Sequence, residues 1–373
     1  MQTALPSSRD SGSHRRRSSL RALSTLAIVC ATALLPTPAQ AKLRIFVSNS
    51  GDGTVSVIDG TLDREEAVIP VGSFPQGIAI RPRPYPLVAV ANSHSNSITL
   101  IEPTELHKFG DDIPLPGYPI DLAFSADGLL LFCTSENTRS VVVLDVDERR
   151  PVGDPMPFGG PPRRPVLSND GHTLYVLKYD EEGAVVAIDA HTRQILRTVP
   201  VGPFPTDLAL QPDGRRLFAA SFNANKITVI DTETLEAVDS FEANVGNGLL
   251  VHPFQPRLYS IATMDDAVQV IDYAKKVEVA TVPVGEKPTF SALSPNGAIL
   301  YVVNSTGRNL MKLDTDTNAV QLRIAIGVEP AAAVVFAMPD QSLRMRIVFT
   351  VVATGAVLAC GLMWLLRRPR AGR

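Results

Sequence analysis

Short apolar runs of four to six residues, each closed by a polar turn, fill residues 42–340. One set opens each copy of a longer unit: Ile45-Phe46-Val47-Ser48-Asn49, Val88-Ala89-Val90-Ala91-Asn92, Leu174-Tyr175-Val176-Leu177, Leu217-Phe218-Ala219-Ala220 and Leu300-Tyr301-Val302-Val303-Asn304. A second set runs into an acid, as in Val55-Ser56-Val57-Ile58-Asp59, Thr228-Val229-Ile230-Asp231 and Gln269-Val270-Ile271-Asp272. The acids Asp59, Glu102, Asp145, Asp189, Asp231, Asp272 and Asp314 follow one another at intervals of 43, 43, 44, 42, 41 and 42 residues. Four-stranded propeller blades repeat at roughly 40–45 residues, so seven anchors in one register predict seven blades. No 3.6-residue period interrupts the pattern, and the domain is predicted to be all-β.

The turns carry their own chemistry. After each acid comes a turn such as Asp231-Thr232-Glu233-Thr234, where a side-chain oxygen can accept backbone N–H groups and close the hairpin. The seven acids therefore read as structural. A third strand ends in Val71-Gly72, Val201-Gly202, Val284-Gly285 or Ile326-Gly327. A fourth, as in Pro205-Thr206-Asp207-Leu208-Ala209-Leu210, is closed by turns of the type Pro212-Asp213-Gly214. Phe158-Gly159-Gly160-Pro161-Pro162 and Asn244-Val245-Gly246-Asn247-Gly248 depart from the Val-Gly pattern. The first copy begins with its outer strands (Leu43 to Pro70), and the last leaves an orphan strand, Ala331 to Ala337. That strand is expected to pair with residues 44–49 and close the ring without a covalent link.

Tyr301-Val302-Val303-Asn304, Ile230-Asp231-Thr232 and Val201-Gly202 followed by Pro205-Thr206 resemble the YVTN-repeat family of seven-bladed propellers, over essentially all of 42–340. The resemblance implies fold more than function, because these residues build blades. It leaves several functional classes open. Propellers of similar fold include quinoprotein amine dehydrogenase subunits, nitrite-reductase propellers with a non-covalent haem, and lactonases.

Charge separates the ends from the middle. The chain has 373 residues and a net charge of −3. Residues 1–41 and 341–373 hold 11 of the 35 basic residues and one of the 38 acids. The propeller therefore carries 24 bases against 37 acids, a balance that repels phosphate backbones and argues against nucleic acid as a partner. Arg15-Arg16-Arg17, the apolar run Ala22 to Leu35 and the small-x-small triplet Ala39-Gln40-Ala41 predict a cleaved signal peptide over 1–41. An uncleaved anchor is the other reading of that segment, and the choice between Sec and Tat export stays open. Ile347 to Leu366 is uncharged and long enough for a membrane helix. It follows a linker over 341–346 and precedes the Arg-rich tail 367–373, which the positive-inside bias puts in the cytoplasm. This predicts a single-pass protein of a bacterial cytoplasmic membrane with its propeller in the periplasm or outside the cell. A processed sorting signal, and with it a surface-layer or adhesive role, is the alternative for the C-terminus.

No Cys-x-x-Cys-His, Walker loop, His-Glu-x-x-His pair or Gly-x-Ser-x-Gly elbow occurs, so the sequence predicts no catalytic residue, metal or cofactor. Candidate binding residues are those where blade-connecting loops and hairpin tips converge over the channel. Before the innermost strands stand Phe74, Gln76, Tyr118, Asp121, Arg163, Arg164, Phe204, Asp207 and Lys287. After the following strands stand His94, Asn137, Tyr179, Asp180, Phe222 and Asp265. The recurring aromatics Phe74, Tyr118 and Phe204 with nearby Arg and Asp suggest a surface for an unidentified protein or small ligand. The leading expectation is a non-enzymatic binding or scaffolding propeller, and the alternative is a redox or hydrolytic subunit.

Overall fold

In a computed structural model of the chain, the described residues are 42–81 and 85–338. The expected signal peptide, linker, membrane helix and tail lie outside them. Among the described residues no helix is long and apolar enough to cross a membrane.

These residues form seven antiparallel sheets. Blade one combines Leu43–Asn49, Thr54–Asp59 and Arg64–Pro70 with Pro330–Ala337. Its seam is a full ladder from Leu43 opposite Ala337 to Asn49 opposite Pro330. The closure expected for 331–337 is thus formed. The innermost strands touch in a circle: Pro75–Arg81, Pro119–Phe124, Pro162–Leu167, Pro205–Leu210, Gly248–Val251, Pro288–Leu293 and Pro330–Ala337, which returns to Pro75–Arg81. Lys312 of blade seven adds an ion pair to Asp63 of blade one at 2.8 Å.

No blade has a core of its own. The buried apolar residues fall into seven clusters, each between two neighbouring blades. The second strands supply a large aromatic at one repeat position: Phe46, Phe132, Tyr175, Phe218, Tyr259 and Tyr301 are all buried, and only blade two has a small residue there, Ala89. A sheet that buries each face against a neighbour is stable only when the circle is complete.

The turn chemistry is as expected. Each of the seven acids accepts one or two backbone N–H groups from its own turn; Asp59 Oδ1, for example, accepts from Thr61 and Leu62 at 2.9 and 3.0 Å. The Val-Gly turns make room for the next blade. A Cβ on Gly72 would lie 2.6 Å from Asn92 Cγ, one on Gly285 2.9 Å from Asn304 Nδ2, and one on Gly327 2.5 Å from Asn49 Nδ2. Two local features differ from the even pattern. The outer strands of blades two and three are split into His107–Lys108 with Ile113–Pro114 and Arg150–Pro151 with Met156–Pro157. Arginines of the following blade brace the gaps: Arg149 donates to Phe109 O at 2.7 Å and Arg193 to Val152 O at 2.6 Å. Short 3₁₀ turns at Phe222–Ala224 and Thr263–Asp265 interrupt the all-β pattern.

Candidate functional site

Each innermost strand starts at the same end of the channel, and the hairpins joining the second and third strands return to that end. Both groups of sequence candidates therefore share one face. The residues before the strand-opening prolines, Phe74, Tyr118, Phe204, Lys287 and Glu329, have φ of 57, 64, 50, 52 and 49°. Left-handed backbone is strained for residues with a Cβ, at about 1–3 kcal/mol each, and persists only where neighbours hold it. Here the holding bonds are visible. Ser93 N–H donates to Phe74 O at 3.1 Å, Glu136 N–H to Tyr118 O at 3.2 Å, Ser305 N–H to Lys287 O at 2.9 Å and Ser50 N–H to Glu329 O at 3.0 Å. Serine hydroxyls fix the next residue, with Ser50 Oγ donating to Pro75 O at 2.6 Å and Ser93 Oγ to Pro119 O at 2.7 Å.

One layer down, the strand registers align Gly77, Asp121, Arg164, Asp207, Gly248, Phe290 and Ala332 around the channel. Arg164 occupies its centre. Its guanidinium lies 3.5 Å from Asp121 Oδ1 and 3.4 Å from Asp207 Oδ1, donates to Asn247 O at 2.9 Å, and sits 4.6 Å from the Phe290 ring centroid. Asp121 and Asp207 are only 8% and 7% exposed, so one guanidinium serves two carboxylates away from bulk water and balances only one of them. Asp207 also accepts the Leu249 N–H at 2.7 Å. Burial pushes its carboxyl up to about 6, with Arg164 pulling in the opposite direction. Burial opposes the Arg164 charge as well, but Asp207 and Asp121 outweigh it and raise its pKa. A small chamber of about 150 Å³ lies beneath this layer.

Above it opens a cavity of about 640 Å³, within the range of small-molecule sites. Of the sequence candidates, Phe74, Gln76, Asp121, Arg163, Arg164, Tyr179 and Lys287 line it. Asp207 lines the chamber below. His94, Tyr118 and Phe204 stand one step out on the rim. The His94 ring stacks on Phe74 at 4.2 Å with Tyr118 at 5.6 Å, and Phe204 meets Tyr179 edge-on at 5.5 Å. Arg163 lies 5.5 Å from the Tyr179 ring centroid and pairs with Glu136 at 3.1 Å. Asn137, Asp180, Phe222 and Asp265 are outside the lining: Asp180 pairs with Lys178 at 2.9 Å, and Asp265 accepts from Asn244 at 2.6 Å.

The sequence reading overlooked Phe290, Arg308, Asn247, Thr289 and Glu329, which also line the wall. A signal was present for Phe290, since Pro288-Thr289-Phe290 aligns with Pro205-Thr206-Asp207. Among the described residues, no three His, Cys, Asp or Glu side chains are grouped as a metal site requires.

No family model matches the chain, and no curated protein matches it in sequence. Solved structures similar in fold include hydrazine synthase of Kuenenia stuttgartiensis, with a TM-score of 0.66 at 19% identity over 72% of this chain and 92% of that one. A functionally unknown protein from Desulfotomaculum acetoxidans gives 0.69 at 13% identity, over 79% and 99% of the two chains. Dihydro-haem d1 dehydrogenase NirN in complex with DHE gives 0.60 at 16% identity, over 78% and 74%. At these identities the likeness is one of fold, the seven-bladed propeller.

Proposed function

We propose that this chain is an exported propeller of the YVTN type that binds a ligand or protein partner at its channel mouth and performs no chemistry on it. In this reading residues 347–366 hold it in the cytoplasmic membrane as a single-pass protein, with the propeller outside and the C-terminus in the cytoplasm. The observation that carries the binding role is the mouth itself. Serine clamps and the ring contacts of His94 with Tyr118 and of Tyr179 with Phe204 hold aromatic groups around an open 640 Å³ cavity whose lining also carries Arg163, Lys287 and Arg308.

The test is co-purification of the full chain from detergent-solubilised native membranes, beside a variant carrying Phe74→Ala and Tyr179→Ala. A protein or small molecule recovered with the wild type and lost from the variant supports the reading. Recovery of the same set from both, or of nothing from either, overturns it.

The fold likeness to hydrazine synthase and NirN favours a second reading, a redox subunit. The histidine nearest the mouth is His94, which lies against Phe74 on the rim and does not point from the channel wall. An absorption spectrum of the natively purified chain separates the readings, since a Soret band replaces passive binding with haem chemistry.

A further inference from the structure

We propose that the mouth is an anion site whose ligand is a small organic acid, a carboxylate or phosphate ester carried on a flat apolar body. This rests on the binding role proposed above and specifies its chemistry.

The argument begins with charge. The propeller carries 24 bases against 37 acids, yet the cavity inverts that balance. Arg163, Arg164, Lys287 and Arg308 line it against two carboxylates, Asp121 and Glu329. Asp121 is committed to Arg164 and Glu136 outside the lining to Arg163, which leaves Glu329 as the lining carboxylate with no ion pair among the described residues. Among the described residues neither Lys287 nor Arg308 has a carboxylate within ion-pair distance. The buried Nε of Arg163 has no hydrogen-bond acceptor there either. An unsatisfied buried donor is costly, and it marks Arg163 as a side chain whose hydrogen bonds are incomplete.

Concavity strengthens the effect. Low-dielectric walls focus the field of a cleft, so two unpaired cations against one unpaired carboxylate, Glu329, attract an anion more in a pocket than on open surface. Arg164 adds no free positive charge, because it already faces two carboxylates, Asp121 and Asp207. Lys287 and Arg308 are exposed side chains on neighbouring turns of blade seven and remain available. The rest of the wall sets the ligand's body. Phe74, Tyr179 and Phe290 offer ring faces, and the volume suits one small molecule.

The experiment is isothermal titration of the full chain in detergent with benzoate, phenyl phosphate, inorganic phosphate and benzamidine. Benzoate and benzamidine share a ring and differ in the sign of charge. The expected result is binding of benzoate or phenyl phosphate, weakened by added salt, with benzamidine inert. Binding of phenyl phosphate alone assigns the site to phosphate esters, and binding of inorganic phosphate as tightly as phenyl phosphate removes the ring from the proposal. The double variant Lys287→Glu/Arg308→Glu should weaken anion binding about tenfold or more while leaving the melting temperature unchanged. Lys275→Glu, on an exposed turn at the other end of blade six, should do nothing. Benzamidine binding as tightly as benzoate, no anion binding up to millimolar concentration, or indifference to the double variant overturns the proposal. If those probes fail while a partner is still recovered through an intact mouth, only the anion chemistry is lost. If the mouth recovers nothing either, the binding role falls with it.

Discussion

Single residues at the channel mouth are caught between charge and burial. Arg164 is the clearest case, since its removal leaves Asp121 and Asp207 facing each other without a cation. Breaking a buried pair from one side costs about 3 kcal/mol or more, because the remaining charge stays desolvated. Arg164→Ala is therefore expected to lower stability by about that amount in urea denaturation. Adding Asp121→Asn and Asp207→Asn should recover much of the loss. A second outcome concerns pH. Asp207 is faced by Arg164, Asp121 and the Leu249 and Leu208 N–H groups, and its folded-state pKa of about 6 exceeds the usual 3.8. A raised pKa means that the folded protein binds this proton more tightly than the unfolded chain. Its contribution is complete below about pH 4 and is lost as pH rises through 6. Denaturation midpoints at pH 4.5, 5.5 and 6.5 should show this slope in the wild type and a flatter one in Asp207→Asn. His94 and Phe74 were separate candidates in the sequence; at this scale their stacking could not be read, because it depends on the pairing of two strands of blade two that brings residues 20 positions apart together.

At the scale of the strand and its turns, the repeat explains itself in pairs. The glycine ending one blade clears space for the asparagine or serine ending the second strand of the next. Gly285 tests this, since its φ of 114° and the neighbouring Asn304 Nδ2 at 2.9 Å both resist a side chain. Gly159 has φ of 74° and nothing within 4 Å of an added Cβ. Gly285→Ala should lower the thermal midpoint well beyond Gly159→Ala, whose cost is the backbone term alone, about 1 kcal/mol. The hairpin acids offer a complementary pH test. Backbone N–H groups, Thr234 for Asp231 and Thr317 for Asp314, hold these carboxyls below their usual range. A lowered pKa stabilises above the unfolded value and is lost as pH falls, so stability should drop below about pH 4, opposite in sense to Asp207. The acids and their role were legible because each lies inside a local turn. The split outer strands of blades two and three were not legible, because Arg149 and Arg193 reach them from the next blade.

For the whole molecule, cooperativity follows from the placement of the core between blades. Removing Pro330–Ala337 uncovers the inner face of blade one, including the fully buried Ile45, Phe46 and Val47. A chain stopped after Glu329 should be expanded or aggregated by gel filtration and melt without a cooperative transition. One stopped after Met338 should behave as a closed ring. The two outcomes separate ring closure from any effect of the segments beyond it.

Seven blades, their four-stranded make-up and the partner of the last strand were all present in the chain itself. The physical reason is that a blade is written locally: each strand's alternation, each acid's turn and each glycine recurs about every 42 residues. The mouth was legible only as a roster of residue types at recurring positions. Which of them share a cavity was decided by closing the circle. That step carried Arg164 between two carboxylates from neighbouring blades and placed Phe290 opposite it. It also left Lys287 and Arg308 on the wall with no ion pair among the described residues. Such relations join residues some 40 to 130 positions apart, and no local pattern encodes a distance that exists only after the first strand has met the last.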